Sequence, residues 1–175
     1  MRDLATAPRV RSLLRALGRA VRQPTTVYLT GGATAVLLGW RESTIDVDVK
    51  FVPDRDELFR AIRVLKDELS INVELASPDL FVPVTDDWAE ASRWEATEGP
   101  LTVRHFDLRA QALAKVERGH ERDLGDVAAM IERGLVRSDE LWRYFEAVEP
   151  KLHRFPAIDP PSLRRALERI VGPPA

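Results

Sequence analysis

The stretch VYLTGGATAVLLGWRESTIDVDVKF, residues 27–51, decides how this chain is read. Its start, within TTVYLT at 25–30, is β-branched and aromatic and predicts a strand. Gly31-Gly32 predicts a sharp turn, and ATAVLLGW a short buried helix. STIDVDVKFVP then predicts a second strand that stops at Pro53. Residues two apart on a strand share a face. Asp46, Asp48 and Lys50 therefore point one way, and Ile45, Val47, Val49 and Phe51 the other. Two carboxylates roughly 7 Å apart on one strand face repel and resist desolvation unless positive charge sits between them.

Working outward, APRVRSLLRALGRAV at 7–21 has helical spacing, with Val10, Leu13, Leu14, Leu17 and Val21 on one side and arginines on the other. A helix packed on the domain is the plain reading; a presequence or a nucleic-acid arm is the alternative. Pro24 ends it. Residues 54–69 predict a helix with Asp54 as N-cap and Glu57 completing a capping box. INVELAS at 71–77 predicts a third strand, with Asn72 and Glu74 on one face. Residues 77–100 read as mostly loop, with a short strand at LFVPV. LTVRHFDL at 101–108 predicts a fourth strand. Beyond it the pattern is helical, with Gly119 as a junction, Gly134 as a C-cap, Ser138 or Asp139 as the next N-cap, and a last helix at DPPSLRRALERIV.

The chain has 175 residues, 45% hydrophobic and 31% charged, the mix of a globular protein able to bury a core. The expected class is α/β (α+β), a small mixed sheet flanked by helices. The expected division is a core over 1–108, including the first helix, and a helical part over 109–175 packed on it. The net charge of −2 provides no global cationic field, so any polyanion would need a local patch such as the arginines of the first helix or the tail. The absence of cysteine excludes thiol chemistry and Cys-based zinc sites. No signal peptide or membrane span is read, and the expectation is a cytoplasmic protein that does not engage a membrane.

A divalent cation resolves the carboxylate problem. Magnesium takes hard oxygen ligands and keeps some waters; a pair of such ions serves in-line displacement at phosphorus. Glu74, mid-strand among apolar neighbours, is the candidate third carboxylate. Gly31 and Gly32 allow backbone N–H groups to approach phosphate oxygens, with the start of the helix adding partial positive charge. Thr30 and Thr34 are candidate hydroxyl donors. The same acids also suit a solvated strand face with Lys50 as partner.

Gly-Gly after a strand, a short helix and then STIDVDV resembles the DNA polymerase β-type nucleotidyltransferase superfamily. It is more closely similar to the DUF6036 and AbiEii/MenT-like branch, which includes toxin nucleotidyltransferases. ALAKVERGHERDLGDV at 112–127 resembles the Lys…Arg-Asp-x-x-Asp helix of that branch.

The resemblance implies a nucleotidyltransferase fold and transfer of NMP from an NTP, with Mg²⁺ or Mn²⁺, to a hydroxyl on RNA, such as a tRNA 3′ end, or on protein. It also implies a possible cognate antitoxin. Asp46 and Asp48 match the metal-binding pair. Glu74 matches the third acid by strand position only, where the family more often has Asp. Gly32 stands where the wider superfamily usually has Ser, which leaves triphosphate contact to the backbone and Thr34. Lys115 and Asp123 or Asp126 match the helix motif. On an unbroken helix Arg122 and Asp126 fall within about 20° of Lys115; a break at Gly119 would change that. Arg41 is either a phosphate contact or a surface arginine. The alternative function is an inactive member of the fold that binds nucleotide or a partner.

Overall fold

The computed structural model describes residues 3–174. The chain divides into two compact units. One holds the described residues up to Ser77 together with Ser92–His105; the other holds Pro78–Ala91 and the residues from Phe106 onward. The segment 78–91, which a division at residue 108 leaves in the core, thus belongs with the later helices.

In the first unit, a short strand β1 (Ala5–Thr6) leads into helix α1 (Ala7–Ala20). Strand β2 (Thr25–Thr30), helix α2 (Gly31–Leu37), the two-residue β3 (Ser43–Thr44) and strand β4 (Asp46–Val52) follow. Next come helix α3 (Asp56–Glu68) and strand β5 (Asn72–Leu75). After helix α4 (Trp88–Ala91) of the other unit, strands β6 (Arg93–Glu98) and β7 (Leu101–His105) complete the sheet. Among the described residues, five strands form one mixed sheet in the order β5-β4-β2-β7-β6, and β1 pairs with β3. β2 runs antiparallel to β4 and parallel to β7, and β4 runs parallel to β5.

The period-2 pattern of β4 decides which way the sheet faces. Val47, Val49 and Phe51 are at most 3% exposed, whereas Asp46, Asp48 and Lys50 are half-buried. The apolar side meets Val10, Leu13, Leu14 and Leu17 of α1 and Leu58 and Ile62 of α3 in one continuous core. Ile45 does not join it. It falls in the break between β3 and β4 and is 59% exposed.

Three local expectations are corrected. α3 starts at Asp56 after Arg55, with no side-chain cap, because Glu57 accepts instead from the Arg22 backbone N–H at 2.9 Å. LFVPV is not a strand: Leu80 and Phe81 are exposed and Pro83 withholds a donor. The extra strand is RWEATE, where β6 is an edge strand held by its ladder to β7. An edge strand covered by little else shows no apolar alternation.

In the second unit, α5 (Leu108–Arg118) and α6 (Glu121–Glu132) are separated by Gly119, whose φ is 70°. α7 (Ser138–Val148) is preceded by Arg137, whose N–H is accepted by Glu140, so neither Ser138 nor Asp139 is the cap. α8 (Pro160–Val171) is capped by Asp159 through the Ser162 N–H. The interior is built from Phe106, Leu113, Met130, Leu141, Phe145 and Leu167, each at most 1% exposed. Among the described residues, no helix is long and apolar enough to cross a membrane.

His105, at the end of β7, is fully buried in the first unit. Its Nε2 lies 3.0 Å from Glu95 Oε2 and its Nδ1 3.1 Å from Thr34 Oγ1. A carboxylate only accepts, so Nε2 carries the proton and donates to Glu95. Burial is the largest influence on the ring and pushes its pKa below the ordinary 6.5, against the opposing pull of Glu95. The unfolded chain therefore takes up this proton first as pH falls. The stability it confers is complete above pH 6.5 and is lost as pH falls through the folded-state value. Urea unfolding at stepped pH should show stability declining from about pH 6.5 downward, and His105→Gln should flatten that decline.

Candidate active site

The ladder brings three of the expected residues into one row. In antiparallel β2 and β4, Thr30 is opposite Asp48; in parallel β4 and β5, Asp48 is opposite Glu74. Directly paired residues share a face, so Thr30, Asp48 and Glu74 cross three neighbouring strands side by side. One rung away, Asp46 is opposite Asn72. All five positions lie on the face opposite Val47 and Val49, where no apolar core demands them.

Asn72 sits between the acids. Its amide donates to Asp46 Oδ1 at 2.5 Å and to Glu74 Oε1 at 3.2 Å. A neutral donor thus partly offsets the repulsion of two carboxylates. The spacing of Asn72 and Glu74 was readable in the sequence; the bridging role was not, because it depends on which rung of β4 meets β5. Among the described residues, no three Asp, Glu or His side chains form a ready-made metal-binding group.

The glycine turn adjoins this row. Gly31 has φ 54°, a left-handed conformation that favours glycine. A Cβ at Gly31 would lie 2.7 Å from Asp48 Oδ2, so the carboxylate rests against the bare backbone of the turn. Gly32 is glycine for a different reason. A Cβ there would come within 2.6 Å of Thr44 Cβ, so no serine fits without moving β3. α2 is only seven residues long, which makes any axial dipole small.

The remaining expected contacts are placed elsewhere. Thr34 is fully buried, and its hydroxyl lies 3.1 Å from the Leu29 carbonyl oxygen as well as beside His105, so it faces no solvent. Thr30 Oγ1 lies 3.4 Å from the Ala76 carbonyl oxygen. Arg41 is half-buried just after α2, its backbone N–H donating to the Ala35 carbonyl.

Lys115 and Asp126 belong to a cluster inside the second unit. Lys115 Nζ donates to Asp126 Oδ2 at 2.6 Å and Asp123 Oδ1 at 3.3 Å, and Arg118 makes two further bonds to Asp123. Lys115, Asp123 and Asp126 are each at most 5% exposed. Burial alone would raise the Asp123 pKa, but the Arg118 hydrogen bonds and the Lys115 charge together hold it below the ordinary carboxylate range. Gly119 breaks the helix, so Lys115, Arg122 and Asp126 do not form the single-helix face expected of an unbroken run. Arg118 takes the place of Arg122, which is exposed.

Compared with protein-family models, with curated proteins and with solved structures, the chain has no match.

Gly32→Ala should lower unfolding free energy by about 1–3 kcal/mol through overpacking against Thr44, measured by urea denaturation. Lys115→Met should cost about 3–5 kcal/mol by stranding two buried carboxylates. A Lys115→Met protein of unchanged melting temperature that had lost a catalytic activity would instead assign that lysine to chemistry.

Proposed function

We propose that this chain is a divalent-metal-dependent nucleotidyltransferase that transfers NMP from an NTP to a hydroxyl acceptor. The observation that carries the reading is the row Thr30–Asp48–Glu74, flanked by Asp46 and set against the Gly31 turn. The donor chemistry fits Mg²⁺ or Mn²⁺. These are hard carboxylate oxygens, and Mg²⁺ bound alongside substrate phosphates needs only one or two carboxylates and keeps waters, so a complete protein cage is not required. Asp46, Asp48 and Glu74 would hold the ion. When bound, it would neutralise phosphate charge and lower the pKa of the acceptor hydroxyl.

The rest is done by the chain. Gly31, with no side chain of its own, lets phosphate oxygens approach the backbone beside Asp48, with Thr30 and Arg41 as further polar contacts. Glu74, exposed on β5, accepts the proton of the acceptor hydroxyl. The acceptor oxygen bonds to the α-phosphorus, the bond to the β-phosphate oxygen breaks, and pyrophosphate leaves. Positioning and electrostatics supply most of the rate in such transfers. The acceptor class is an RNA 3′ end or a protein hydroxyl, and a cognate antitoxin is the natural protein partner of such a toxin-like enzyme. Lys115 and Asp126 are assigned to holding α5 against α6.

The bridging of Asp46 and Glu74 by Asn72, with no preassembled three-acid group, favours a second reading: a nucleotide-binding module without turnover. Incubation with labelled NTPs, Mg²⁺ or Mn²⁺, and either RNA or protein acceptors separates the two. Transfer that falls roughly a hundredfold or more in Asp46→Asn and Asp48→Asn supports the enzyme. Metal-dependent ATP binding by calorimetry with no transfer to any acceptor supports the module, and loss of both readouts overturns the two together.

A further inference from the structure

A cleft of about 420 Å³ opens inside the second unit, between residues 79–88 and the segment carrying Lys151, Arg154 and Phe155. The proposed nucleotidyl transfer does not use it. Its apolar wall includes Val82, fully buried, and Trp88, whose ring stacks on Phe106 at 4.5 Å with an 8° interplanar angle. Lys151 Nζ ties the two sides together, donating to Asp86 Oδ1 at 2.8 Å and to the Val84 carbonyl at 3.3 Å. An ammonium has three donors, so one remains. Arg154 lines the cleft, is exposed, and makes no side-chain hydrogen bond or ion pair among the described residues.

A second observation falls at the same place. Among the described residues, the buried side-chain oxygens that lack a hydrogen-bond partner are Thr85 Oγ1 and Tyr144 Oη. Thr85 lines the cleft, and the Tyr144 hydroxyl lies beside it. The Thr85 hydroxyl is near enough to the Asp87 carboxylate to hold that acid below its ordinary range, yet its geometry falls short of a hydrogen bond. Both hydroxyls are shielded from solvent and lie beside one another, so they belong to the floor of the cleft and not to its open wall.

We propose that this cleft binds a small organic anion, a carboxylate or phosphate group carried on a flat apolar body. The guanidinium of Arg154 offers a planar fork matched to either oxyanion. The spare Lys151 N–H adds a donor. The flat body lies against Trp88 and Phe155. Asp86 is paired with Lys151, and the lining as a whole carries two acids and two bases, so the anion is drawn by the fork of Arg154 rather than by net charge.

The test uses the full chain carrying Asp46→Asn and Asp48→Asn, in EDTA, so that the first unit's candidate site does not contribute. Indole N–H resonances are followed by NMR during titration with AMP, indole-3-acetate, adenosine and inorganic phosphate. AMP and indole-3-acetate separate a phosphate ligand from a carboxylate one; adenosine lacks the anion and inorganic phosphate lacks the body. The expected result is a saturable shift of the Trp88 signal with AMP or indole-3-acetate, at least about tenfold tighter than with adenosine or inorganic phosphate. Arg154→Ala should weaken it about tenfold or more with unchanged melting temperature. No saturation by either anion up to about 10 mM, equal binding of adenosine, or binding unaffected by Arg154→Ala would overturn the proposal.

Discussion

The register of β4 is the constraint on which the candidate site depends. Val47, Val49 and Phe51 are locked into the core under α1 and α3, and side chains on a strand alternate without exception. A slip by one residue would drive Asp46 and Asp48 into that core and turn three apolar side chains outward. The apolar half of the strand therefore fixes where the acidic half stands. Because β4 is paired on both sides, the same lock aligns Thr30 on β2 and Glu74 on β5 with Asp48. Packing on one face of the sheet thus sets the spacing of charge on the other.

The chain handles its buried charge in two different ways. On the sheet, the acids keep access to solvent, and Asp46 and Glu74 share a neutral amide from Asn72. In the second unit, Asp123 and Asp126 are withdrawn from water and matched directly by Lys115 and Arg118. Removing a carboxylate from water costs several kilocalories unless a cation and hydrogen bonds replace the lost hydration. The second arrangement completes that replacement within the fold. The sheet acids, less withdrawn from water, need less of it.

Much of this was legible before any coordinates. The β2 strand, the alternation of β4 and the amphipathic spacing of α1 each follow from a single local rule, and the fold honours them; the two glycines, expected as a turn before the helix, instead open α2 itself. What escaped the sequence depends on partners distant along the chain. β6 carries Arg93, Glu95 and Glu98 and has little apolar rhythm; it is a strand because β7 offers it a ladder. Thr34 looks like a hydroxyl near a phosphate turn, but α2 begins at Gly31 and its winding carries Thr34 into the core beside His105. Lys115 and Asp126 looked like one helical face. They do meet, but through the packing of α5 on α6 after a break at Gly119.

The placement of Glu74 has a consequence of its own. β5 has four residues and lies at the margin of the sheet, bonded to β4 alone. Asp46 and Asp48 ride on an interior strand secured from both sides. Marginal strands open at lower free-energy cost than interior ones, so brief unzipping of β5 would withdraw one negative charge and the Asn72 clasp together while leaving the aspartate pair in position. The three acids are thus mounted unequally: two stand on a strand paired along both sides, and the third on a strand paired along one.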